Sequence, residues 1–137
     1  MTEAKTTTVA DVMTEGVITI EATATVREAV KLMREKRTSS IVVERRDDGD
    51  EFGMIAVADI AGEVLAKDLS PDRVNVYEVM SKPVLALPAE MVVAYAVRML
   101  FRFGLTRALV VDHKRNPVGI VTLRDMVLRT TEDEKKD

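Results

Sequence analysis

Along the chain, Val26, Ala29, Val30 and Met33 recur at the three- and four-residue spacing of one helix face, while Arg27, Glu28, Lys31, Arg34 and Glu35 take the other. This spacing predicts an amphipathic helix. Val93, Ala96, Val97 and Leu100 repeat the apolar stripe further on. Short runs rich in β-branched residues surround each helix and predict strands: 17–20, 40–44 and 53–57 in the first half, 84–87, 108–111 and 118–122 in the second. Turn residues separate the last two strands of each half, Asp47-Asp48-Gly49 in one and Lys114-Arg115-Asn116-Pro117 in the other. A final helix is predicted near Asp59 and again near Asp125. Each half therefore reads β-α-β-β-α.

The halves are copies of one another. Val9-Ala-Asp-Val-Met-Thr14 returns as Val76-Tyr-Glu-Val-Met-Ser81, offset by 67 residues. At that offset Val17, Ala22, Val26, Ala29, Val30 and Val43 meet Val84, Ala89, Val93, Ala96, Val97 and Val110. Gly53 and Asp59 meet Gly119 and Asp125 one residue out of step, which places a single-residue length change in the charged loop before Phe52. The expected organisation is a loose terminus over 1–8, repeat 1 over 9–66, a linker over 67–75, repeat 2 over 76–129 and a charged tail over 130–137. Half of this chain is too small to cover both faces of its sheet. The expected fold is thus an α/β (α+β) unit of two repeats packed about a pseudo-twofold axis.

Composition narrows the chemistry. Hydrophobic residues make up 47% of 137 and aromatic residues 4%, so the core is aliphatic. A net charge of −3 argues against general nucleic-acid binding. No cysteine is present, which excludes disulfides and thiolate chemistry and suits a cytoplasmic protein. No apolar run is long enough to span a membrane. His113 is the one histidine and sits in a charged turn. There is no P-loop, no spacing suited to a metal and no nucleophile with a base, so an enzyme is not expected.

Asp11-Val-Met-Thr14 ahead of a strand, and Gly119-Ile-Val-Thr-Leu-Arg-Asp125 between a strand and a helix, resemble the CBS domains, the repeats named for cystathionine β-synthase. The resemblance spans about residues 9–129 and identifies the chain as a tandem CBS pair, or Bateman module. It implies a regulatory module that binds an adenine nucleotide (AMP, ADP or ATP) between repeats, with S-adenosylmethionine as another adenosyl candidate. It also implies assembly into dimers.

Carried residue by residue, the resemblance groups Thr122, Arg124 and Asp125 with Val17, Ile18, Ser39, Ser40 and Ile41 in a main cleft. A carboxylate at Asp125 can accept hydrogen bonds from both ribose hydroxyls. Thr122, Ser39 and Ser40 would meet phosphate, and Val17, Ile18 and Ile120 would clamp the purine. A second cleft would join Asp59 to Val84, Leu85, Thr106, Arg107 and Ala108. There the pattern is broken, because Ala56 and Ala58 replace the hydroxyl and the cation of Thr122 and Arg124. Arg107 is the residue placed to compensate, and this cleft is expected to be the weaker. From spacing alone, Asp125 reads as an ordinary helix-start carboxylate and Thr122 as a strand residue.

Two features favour association. Tyr95, Met99, Arg102 and Phe103 lie off the core stripe of their helix, and Ala58, Ala61, Gly62 and Ala66 would allow close helix approach. A homodimer is the expected assembly. The competing function is a dimerising or partner-binding scaffold whose clefts stay empty, regulating a protein the chain does not itself contain.

Overall fold

In a computed structural model, residues 6–130 are described. In chain order they form α1 (Val9–Val12), β1 (Thr14–Glu15), β2 (Thr19–Ile20), α2 (Val26–Lys36), β3 (Ser40–Val43), β4 (Gly53–Ala56) and α3 (Val57–Ile60). A π-helical turn (Ala61–Leu65) and a 3-10 turn (Val76–Glu78) follow, then β5 (Ala86–Pro88), α4 (Val93–Phe103), β6 (Arg107–Val111), β7 (Pro117–Thr122) and α5 (Leu123–Thr130).

These elements make two compact units that are out of phase with the sequence repeats. One unit is Ile18–Val84; the other joins the N-terminal segment through Val17 to everything from Leu85 onward. The Ile18–Val84 unit holds a three-stranded sheet in the order β2-β3-β4, with β2 parallel and β4 antiparallel to β3. The other unit holds β1-β7-β6-β5, with β5 parallel to β6 and β1 antiparallel to β7. The strand β1 comes from the start of repeat 1 yet lies on the last strand of repeat 2. The counterpart contact is Ser81, from the start of repeat 2, bridging Met54 on β4 of repeat 1.

Each repeat thus contributes its Met-Thr or Met-Ser motif to the unit built on the other repeat's strands. The expected first strands at 17–20 and 84–87 shorten for the same reason. Val17 and Val84 are the points where the chain passes from one unit to the next, and regular pairing begins only beyond them.

The close approach requires glycine. A methyl group on Gly119 would lie 2.6 Å from the Thr14 carbonyl oxygen and 2.6 Å from Met13 Sδ. On Gly53 it would lie 3.1 Å from the Ser81 carbonyl oxygen and 2.9 Å from Met80 Sδ.

The two long helices carry the cores. Val26, Ala29 and Met33 of α2 are buried against Ile41, Val43 and Ile55, and Val93, Ala96 and Leu100 of α4 against Leu87, Val110 and Val121. A capping box starts α2: Thr25 Oγ1 accepts from the Glu28 N–H at 3.1 Å, and Glu28 Oε1 accepts from the Thr25 N–H at 2.8 Å.

Both helices end in a left-handed residue at equivalent positions, Gly104 with φ 66° and Arg37 with φ 55°. Glycine adopts this conformation freely; an L-residue is strained there. Arg37→Gly is therefore expected to stabilise the chain by about 0.5–1 kcal/mol in urea denaturation, and Gly104→Arg to cost a similar amount. Equal stabilities for all three proteins would contradict this account.

Part of the terminus expected to be loose is held, and so is the linker. Thr7 accepts from the Val93 N–H at 3.0 Å, and Thr8 donates from its N–H to Asp11 at 2.9 Å, so order begins inside the 1–8 terminus. The 67–75 linker lies along α2: Pro71 accepts from the Arg27 N–H at 3.1 Å, Val74 accepts from the Val26 N–H at 2.8 Å, and Arg27 pairs with Asp72. Val74 is buried, which anchors the segment. Residues 1–5 of the expected terminus and 131–137 of the expected tail lie outside the described residues.

Candidate functional site

The strand-to-helix turn is where the two units differ most. In the unit containing β7, the chain leaves the sheet at Thr122 and enters α5 at Leu123. Thr122 Oγ1 accepts from the Asp125 N–H at 3.0 Å, so the hydroxyl caps the helix. This joins the strand reading of Thr122 to a defined task and leaves its O–H free to donate. The Asp125 carboxylate is not spent on the cap. It pairs with Arg129 at 3.9 Å, and its side chain keeps 21% exposure. Arg124 is exposed. Strand register puts Arg107 directly opposite Thr122, and Thr106 accepts from the Leu123 N–H at 2.9 Å. A hydroxyl, a carboxylate and cationic residues thus converge on one turn.

The corresponding turn in the Ile18–Val84 unit is built differently. Ala56 has no hydroxyl to cap with; the Asp59 carboxylate makes the other half of a capping box instead, accepting from the Ala56 N–H at 2.9 Å. Asp59 is a structural cap. Four residues beyond it stands Glu63, paired with Lys67 at 2.8 Å, where Asp125 has Arg129. Ser40 lies opposite Ala56, and Ser39 accepts from the Val57 N–H at 2.9 Å.

The expected site residues divide between the units. Val17, Leu85, Thr106, Arg107, Ala108, Ile120, Thr122, Arg124 and Asp125 belong to one, and Ile18, Ser39, Ser40, Ile41, Asp59 and Val84 to the other. Ser39 is exposed in the bend before β3, while Ser40, the first residue of a strand buried throughout, is only 6% exposed. Ile41 and Ala108 are fully buried core residues. Val17, Ile18, Val84, Leu85 and Ile120 are half-buried, so they combine a packing role with surface a ligand can reach.

The sequence reading missed Arg129. Its Nη1 donates to the carbonyls of Val12 and Met13, each at 3.0 Å. It also overlooked Phe101, which is 71% exposed on α4 beside Tyr95 and Phe103, with Val127 and Leu128 exposed on α5. In the other unit, Val30, Met33, Val57, Ile60 and Leu65 line an apolar cavity of about 340 Å³.

The large carboxylate perturbation lies at Asp50, held well below the usual range by the Lys82 ammonium at 2.8 Å and by the N–H groups of Arg46. Asp50 is a clasp on the β3–β4 loop. Among the described residues, no group of His, Asp and Glu has the arrangement of a metal site, and no helix is long and apolar enough to cross a membrane.

Such a fold, two mixed sheets each closed by a strand-turn-helix, defines a class of small paired modules. The CBS domain family model matches the chain twice, over residues 9–66 and 76–130, and the chain belongs to that family as a tandem CBS pair. An uncharacterised protein of Methanopyrus kandleri is 31% identical over 134 residues, covering 93% of this chain and 68% of its own. The chain spans 42% and 43% of two further relatives.

A hexameric CBS-CP12 protein from bloom-forming cyanobacteria has a TM-score of 0.89 at 32% identity, covering 98% of this chain and 78% of its own. A CBS domain pair solved with 5′-methylthioadenosine and S-adenosylmethionine shares the fold, with a TM-score of 0.79 at 24% identity, 96% of this chain and all of its own being covered. Tandem CBS pairs are in general regulatory modules rather than catalysts.

Proposed function

We propose that this chain is a regulatory ligand-sensing module that takes an adenosine-containing ligand, of the AMP, ADP and ATP class, at the Thr122–Asp125 turn. The carrying observation is that the Asp125 carboxylate is free of its own helix cap, because Thr122 supplies that cap. A carboxylate outside the cap, beside a fixed hydroxyl, suits a ribose diol, and Arg124 suits the phosphate. Val17 and Ile120 would pack on the purine. The turn at Asp59 is proposed as a weaker or empty counterpart, its carboxylate being engaged. The fold's precedent for adenosyl ligands supports the class, and S-adenosylmethionine stays within it. A cytoplasmic location goes with this reading.

Thermal unfolding of the full chain tests this with AMP, ADP, ATP, NAD, S-adenosylmethionine and a cyclic dinucleotide. A ligand at a hundred times its Kd adds about 2.7 kcal/mol, a midpoint rise of several degrees. No rise with any of them, in protein free of co-purified nucleotide, would defeat the sensor reading.

Self-association is the second reading, favoured by the exposed Tyr95, Phe101, Phe103, Val127 and Leu128 and by the hexameric relative. A homodimer covering α4 and α5 is proposed. Light scattering is expected to give about twice the monomer mass for the wild type and the monomer mass for Phe101→Asp. A monomeric wild type would remove this reading.

A further inference from the structure

We infer that Arg129 couples occupancy of the Asp125 site to the N-terminal segment 12–17; this rests on the ligand reading proposed above. One guanidinium holds both ends. Its Nη1 bonds the Val12 and Met13 carbonyls at 3.0 Å each, and its Nη2 stands 3.9 Å from Asp125 Oδ1. Those carbonyls lie where α1 ends, so Arg129 satisfies acceptors that the short helix leaves over. Immediately beyond, Thr14 and Glu15 pair with Ile120 and Gly119 on β7, the strand that leads into the Thr122 turn.

The coupling follows from competition. With the site empty, Arg129 divides its charge between the carboxylate and the carbonyls. A ribose diol that donates to Asp125 satisfies the carboxylate, and the guanidinium then serves the carbonyls alone. Ligand binding tightens the 12–17 segment, and an ordered segment in turn favours ligand, since coupling is reciprocal. Arg129 is a positioning residue: it acts on the ligand through Asp125. The other unit lacks the device, because Glu63 stands at the equivalent position and bonds Lys67 instead.

Hydrogen exchange of the full chain, with and without AMP and S-adenosylmethionine as probes, tests the coupling in wild type, Arg129→Gln and Arg129→Lys. In the wild type, the binding probe is expected to slow exchange at Met13 and Gly16 by roughly tenfold, the scale of a charge-assisted bond. In Arg129→Gln the competing cation is gone, so the probe should bind several-fold more tightly, with no slowing at those amides. Arg129→Lys, a single-point charge, should bring the affinity back toward wild type and restore little of the slowing. In an Asp125→Ala background, Arg129→Gln should no longer change affinity.

Wild-type binding with unchanged exchange at 12–17, or equal slowing in Arg129→Gln, would overturn the coupling while leaving the ligand reading intact. If neither probe binds, ADP or ATP takes their place; failure of the whole thermal-unfolding panel to bind the wild type would overturn the ligand reading, and the coupling with it. Melting curves of each variant separate these outcomes from loss of fold.

Discussion

Gly119→Ala is expected to destabilise the chain by about 3 kcal/mol, at the upper end of overpacking costs, and to lower its melting point by roughly 10 °C. The added methyl group would meet a backbone oxygen, Thr14 O, at 2.6 Å. That oxygen cannot rotate away; β1 must shift off β7. The shift would strain the Thr14–Ile120 and Glu15–Gly119 pairs and the Gly16 N–H to Val118 bond of 3.0 Å.

Gly53→Ala is the internal control. Its nearest atom is the flexible Met80 Sδ at 2.9 Å, and the Ser81 carbonyl oxygen lies at 3.1 Å, so the neighbours need give only a few tenths of an ångström. About 1 kcal/mol is expected there. Urea denaturation ranks the two variants, and equal costs would mean that the N-terminal segment does not lie against Gly119 in solution.

The same contact shows what the sequence could and could not disclose. Val26, Ala29 and Met33 predicted α2 because helical periodicity is local, and the duplication made the α4 prediction independent of it. The exchange of N-terminal segments between units was not legible. A two-residue strand such as Thr14–Glu15 carries no periodic signal, and its partner is chosen by which distant strand offers a glycine.

Arg129 was invisible for a related reason. Its carbonyl partners lie more than a hundred residues away, and a single arginine in a last helical turn reads as ordinary dipole compensation. The split between Ser39 and Ser40 was not readable, because it falls at the edge of β3: Ser39 is in the exposed bend and Ser40 opens a strand buried at every position. Phe101 follows Leu100, one step off the core stripe, and only the three-dimensional placement of α4 shows how far it projects.

The turns themselves yield the sharpest functional expectation, a crossed result. Asp125→Ala is expected to weaken the binding of an adenosine-containing ligand by roughly 100-fold, the loss of two hydrogen bonds to a charged acceptor. It should barely change stability. The helix cap is made by Thr122 Oγ1 on the Asp125 backbone N–H, which alanine retains, and the Asp125–Arg129 pair is long and partly exposed.

Asp59→Ala should do the reverse. It removes the acceptor of the Ala56 N–H and costs about 1 kcal/mol, with ligand affinity changed less than about threefold. Titration calorimetry with the ligand that raises the melting point, alongside urea denaturation of both variants, reads the two columns together. Equal losses of affinity would mean that both turns bind and that the Ala56 substitution is tolerated. A stability loss in Asp125→Ala without an affinity loss would return that carboxylate to a purely structural role, and the argument for a nucleotide at this turn would fall with it.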